Sequence, residues 1–95
     1  MEDRTTIVGI DVGKTTCSAT WITDDPAQRN PVCTFNNAID GIIKLEEWMG
    51  HHDIHPKQST ICIANTGAYG LLLAPTLYEH GWYVVQVSPI AVPGI

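Results

Sequence analysis

Asp11 is where this sequence is most open to chemistry. It closes the apolar run TTIVGID, residues 5–11, and a Gly13-Lys14 turn follows at once. A carboxylate at the end of a core strand has three ordinary uses: metal ligand, member of a phosphate loop, or turn residue. A nucleotide P-loop needs a glycine five positions before its Gly-Lys pair. That position is Val8, and Gly9 comes one place too late. A P-loop lysine and threonine also open a helix, whereas TTCSATWIT, 15–23, reads as a strand. The metal use asks for company, because two divalent ions roughly 4 Å apart are held by three or more carboxylates. If the fourth strand runs parallel beside the first, its last residue lies about 5 Å from Asp11 across the ladder. A glutamate there would complete a first pair, but the residue is Ala64.

Other reactive types read as ordinary packing or solvated surface. Glu46, Glu47 and Glu79 fall on the outer faces of helices. His51, His52 and His55 sit in a helix exit with only Asp53 at ligand spacing, which suits a solvated loop better than a metal site. Cys17, Cys33 and Cys62 are odd in number and embedded in apolar runs, as expected of small buried hydrophobes in a reducing compartment. Trp21, Trp48 and Trp82 belong to three separate elements and read as packing rather than a base-stacking platform.

Several elements must position these residues. Strands are expected at 5–11, 15–23, 32–35 (VCTF), 59–64 (STICIA) and 82–87 (WYVVQV), from their apolar, β-branched composition. Gly13-Lys14 makes the first two a hairpin, and DDPAQRNP, 24–31, is a loop. Asn36 and Asn37 offer an N-cap for a helix over 38–49, with Ile39, Ile42, Ile43, Leu45 and Met49 as its apolar stripe and Gly50 as its end. A second helix ends near His80 with Gly81 behind it, and Pro75 requires that its regular part begin late. The prolines of SPIAVPGI, 88–95, suggest a frayed exit. The order is β-β-β-α-β-α-β. Hairpins followed by two helical crossovers give a mixed sheet with the first strand central beside the fourth. That is an α/β, ribonuclease-H-like mixed five-stranded sheet, expected as a single domain over 1–95.

Size and charge narrow the functions. Ninety-five residues hold one domain, 44% hydrophobic and 16% charged, with no internal repeat. The start carries no signal-peptide core and no stretch reaches membrane-helix length, so a cytoplasmic protein with no membrane partner is expected. The net charge of −5, with five scattered basic residues, predicts weak DNA binding by this chain alone.

Two resemblances follow from these motifs. GIDVGKTT is similar to the first phosphate hairpin of the actin, sugar-kinase and chaperone ATPases, but those are two-lobed and several times longer. The chain as a whole resembles the N-terminal domain of the DEDD insertion-sequence transposases, the IS-one-ten family, relatives of the RuvC resolvase. The matching pieces are VGIDVGKTT, FNNAIDGIIKLEEWM against a Phe-x-Asn pattern with a following helix, ICIANTGAYG and LYEHGWYVVQVSP. The resemblance makes Asp11 the first catalytic, metal-holding aspartate and puts Ala64 at the family's glutamate. It places Lys14, Thr66 and Gly67 near substrate phosphates. It sets a D-x-x-D pair and a second domain past Ile95, which would make 1–95 a partial domain truncated after the fifth strand. It further implies Mg²⁺ or Mn²⁺ in the parent enzyme, DNA as partner, an element-encoded guide RNA and a homo-oligomer. Of four expected carboxylates one is present. The chain is therefore expected to bind metal weakly or not at all, and to be inactive alone. The rival readings are a regulatory or dimerisation module acting on full-length transposase, and a remnant of an actin-like ATPase.

Overall fold

Alternation decides the first strand. In Thr6–Val12 (β1) the residues Val8, Ile10 and Val12 are buried, while Asp11 between the last two is exposed. The strand thus runs one residue further than expected. Asp11 does not terminate it but points to the face opposite its apolar neighbours. A computed structural model of the chain describes residues 6–22, 30–64 and 67–87. The remaining elements are β2 (Thr16–Ile22), β3 (Cys33–Asn36), α1 (Ile39–His51), β4 (Ser59–Ala64), α2 (Leu73–Glu79) and β5 (Tyr83–Val87). Short 3₁₀ turns at Pro56–Gln58 and Gly67–Gly70 lead into and out of β4.

The five strands form one mixed sheet in the order β3-β2-β1-β4-β5. β1 pairs antiparallel with β2 and parallel with β4, and β4 pairs parallel with β5. The ribonuclease-H-like arrangement expected from the element order is the one observed, with β1 central beside β4. Both helical crossovers, β3 to β4 and β4 to β5, step the same way across the sheet. Connections of one hand that step in one direction lie on one face. Accordingly Ile42, Leu45 and Met49 of α1 share one core with Leu73, Ala74 and Leu77 of α2 and with Val8, Ile10, Phe35, Ile61 and Ile63 of the sheet.

Several details of the helices depart from expectation for identifiable reasons. α1 is capped by Ala38 in extended backbone with no side-chain cap bond, so neither Asn36 nor Asn37 caps it. Its stripe is narrower than the sequence suggested: Ile39 and Ile43 are exposed, and Gly41 faces inward. A Cβ on Gly41 would lie 1.8 Å from the Asn36 carbonyl oxygen, so α1 meets β3 backbone to backbone there. The helix also runs through Gly50. Asp53 takes the left-handed position at φ 63°, and the Ile54 N–H bonds the Met49 carbonyl at 2.8 Å. Burying Ile54 against the core closes this Schellman-type end three residues after the glycine. α2 behaves as expected. It begins late enough for Pro75 to fall in the first turn, where its missing N–H costs no helical bond, and Gly81 follows at φ 93°.

Glu46 corrects a further reading. It is not on a solvated face: Oε1 lies 2.8 Å from His80 Nδ1, and Oε2 accepts the Trp82 Nε1–H at 3.0 Å. One carboxylate therefore ties α1 to the turn between α2 and β5. Two of the three tryptophans also meet. Trp21 and Trp48 stack at 5.6 Å between ring centroids, and His52 packs on both.

Candidate functional site

The site begins with one row of residues across the sheet. On β1, Asp11 pairs with Ser18 of β2, which pairs with Thr34 of β3. On the other side the parallel ladder reaches Ile10 opposite Ile63, so Asp11 and Ala64 are the next residues on their strands. Ala64 in turn pairs with Val87 of β5. Cross-strand neighbours share a face, and here it is the face opposite α1 and α2. Asp11, Ser18, Ala64 and Val87 line one open groove of about 470 Å³, floored by Gly9, Thr20 and Cys62. The small side chains of that floor leave the strand surface accessible along the groove.

The structure thus brings positions 11 and 64 together, at the carboxyl ends of two parallel strands. Open sheets bind ligands at such ends because the loops there diverge. The Asp11 carboxylate is exposed, and its neighbours in the row are a hydroxyl, a methyl and an isopropyl group. Lys14 is exposed in the β1–β2 turn that follows. Gly13 makes that turn: its N–H donates to the Thr16 carbonyl at 3.0 Å, and a Cβ on it would sit 2.5 Å from the same oxygen. Gly67 opens the 3₁₀ turn after β4, and Thr66 lies outside the described residues.

The donor set does not fit a pair of divalent ions. Among the described residues no three His, Cys, Asp or Glu side chains converge, and the row through Asp11 holds one carboxylate. Mg²⁺ keeps its waters unless several anionic oxygens meet it. The histidine segment forms no alternative centre: His55 Nε2 pairs with Asp53 at 2.8 Å, His52 packs on tryptophans, and His51 ends α1. Two cysteines are shut away. Burial pushes the Cys17 thiol above its ordinary value; the negative charge of Asp11 adds to this and a backbone hydrogen bond at Gly13 opposes it. Burial likewise raises Cys33, against the nearby charge of Lys44. Cys62 is partly exposed beneath the groove.

Sequence reasoning missed the part played by Asn37. Its side-chain Nδ2 donates to the Gly13 carbonyl at 3.0 Å and to the Tyr69 carbonyl at 2.7 Å. Its position after a strand made it look like a helix cap. The signal that could have found it was the Phe-x-Asn spacing, Phe35 to Asn37.

Comparison with known proteins bears on this site. A sequence model of a family described as Transposase, the DEDD type of the IS-one-ten group, matches residues 8–95. The chain belongs to the DEDD transposase family. Among curated relatives, the pilin gene-inverting protein of Moraxella lacunata is 35% identical over 85 residues, and that of Moraxella bovis is 32% identical. Each alignment takes in 90% of this chain but 26% of the relative, so the transposase-family chain spans about a quarter of their length. Among solved structures, YeaZ from Pseudomonas aeruginosa superposes with a TM-score of 0.53 over 93% of this chain and 44% of that one. At 14% identity this likeness concerns the fold alone. No helix among the described residues is long and apolar enough to cross a membrane.

Proposed function

We propose that the chain is a single ribonuclease-H-like unit from a DNA recombinase of this family, whose whole-length members cut and rejoin DNA with the help of divalent metal. Asp11 is the first metal-holding carboxylate and Ala64 stands where the second would be. Lys14, Thr66 and Gly67 are assigned to contacts with the substrate's phosphates. DNA is the partner of the whole protein. The chain by itself is chemically inert.

One observation carries this reading. Asp11 and Ala64 are the next residues on adjacent parallel strands, on one face and in one groove. A carboxylate at position 64 would face Asp11 across the ladder spacing of about 5 Å. Relatives named for inverting a gene are consistent with the reading, since inversion requires DNA strands to be broken and rejoined.

Calorimetry with Mn²⁺ tests it. The natural chain should show weak, unsaturated binding. Ala64→Glu should bind about tenfold tighter or better, because affinity rises with the number of converging carboxylates. Adding Asp11→Asn to that variant should abolish the gain. Tight binding by the natural chain, or no gain in Ala64→Glu, would refute the proposal.

A second reading, a dimerisation or regulatory module, draws on one feature. The open face and its borders expose Ile22, Val32 and Val87, apolar surface suited to covering by another polypeptide. Inhibition of full-length transposase by added chain would support that role.

A further inference from the structure

We propose that Asn37 is a positioning residue that locks the β1–β2 turn to the 3₁₀ turn Gly67–Gly70 and so helps to hold the strand ends at positions 11 and 64 in place. The inference rests on the reading of those two positions as the site.

Asn37 has three N–H donors, and all go to this task. The backbone N–H donates to the Thr15 carbonyl at 2.9 Å. The two side-chain bonds run to Gly13 and Tyr69, 24 and 32 residues away in sequence. Gly13 is two residues past Asp11, and Tyr69 is five past Ala64. A carboxamide suits this bridge because its NH₂ offers two donors at a fixed angle. A carboxylate offers none, and a hydroxyl offers one. The ordinary use of an asparagine just before a helix is to cap it, yet α1 has no side-chain cap bond. The side chain instead bonds the two turns that follow the carboxyl ends of β1 and β4. Gly13 follows β1 directly and its N–H closes the turn onto Thr16, so a bond to its carbonyl acts two residues from Asp11.

Two substitutions on the 95-residue chain, followed by ¹⁵N NMR, test this. Asn37→Asp keeps the shape but turns acceptors toward two carbonyls, and Asn37→Ala removes the bridge; the backbone bond to Thr15 remains available to both. The expected result is that amide shifts at 13–16 and 69–70 move together and the Gly13 amide exchanges faster, while amides of Ile54 and Ile61 stay in place. Changes confined to 36–38 would overturn the proposal. So would loss of fold in both variants, which would make Asn37 a folding determinant instead.

A second readout ties the bridge to the site. In the Ala64→Glu background, Asn37→Ala should remove most of the gain in Mn²⁺ affinity, about tenfold, because two carboxylates help each other only while they converge. Unchanged Mn²⁺ affinity would overturn the positioning role. If Ala64→Glu itself binds no Mn²⁺, the metal reading fails while the amide shifts still decide the bridge.

Discussion

The two faces of the sheet are built from the same strands and could hardly differ more. One buries Val8, Ile10, Ile61 and Ile63 beneath two helices. The other presents Gly9, Asp11, Ser18, Thr20, Cys62 and Ala64 as the floor of an open groove. The cause is topological. Two crossovers of one hand, stepping in one direction, put both helices on the same side and leave the other without a helix among the described residues. Alternation then sorts each strand, so the residue that could do chemistry is separated from its core neighbours by a single peptide unit. Stability resides on the covered face and the candidate chemistry on the bare one.

Substitutions can break or sharpen this contrast. The largest effect is expected at Leu45, fully buried in α1, where Leu45→Ala should cost about 2–5 kcal/mol in denaturant unfolding. Ile22→Ala, at 59% exposure on the open side, should fall within about 0.5 kcal/mol of the natural chain. Equal losses at the two positions would mean that the open face is covered after all.

An intermediate effect belongs to the seam that joins the two helices. Glu46→Ala leaves the Trp82 Nε1–H, on a side chain only 5% exposed, without its acceptor. The expected cost is about 1–3 kcal/mol. The His80 arm adds less, since both of its partners are partly exposed to solvent. Thermal unfolding would measure it, and a neutral result would return Glu46 to the solvated surface.

The smallest effect is alkaline. The Cys17 and Cys33 thiols have folded values raised above the ordinary 9.0, chiefly by burial. A raised folded value contributes stability that is full below 9 and lost as pH climbs through the raised value. Melting temperature should therefore decline above pH 9, and Cys17→Ala should flatten part of that decline. The partly exposed Cys62 should react first with an alkylating agent.

Much of the framework was legible in the sequence, because it depends on short-range rules. The hairpin at Gly13, the late start of α2 before Pro75 and the parallel neighbours β1 and β4 all followed from turn chemistry, proline sterics and crossover hand. What escaped was decided by partners distant in the chain. Gly50 looked like a helix end, but the burial of Ile54 carried α1 to Asp53. Ile43 fitted the helical stripe yet lies half exposed, because Gly41 lets α1 sit against β3 at a different roll. Glu46 looked solvated until α2 brought His80 and Trp82 to it. Within the site, Asp11 stood out by its type and place in a strand. Asn37 did not, since its two side-chain bonds reach 24 and 32 residues along the chain.

The most direct test asks where an ion settles when position 64 is given a carboxylate. Mn²⁺ added to ¹⁵N-labelled Ala64→Glu should broaden the amides of residues 11–13 and 63–64 first, with the row partner Ser18 close behind. Broadening centred on His51–His55, or spread without a focus, would show that the two strand ends do not form a common rim and would contradict the account.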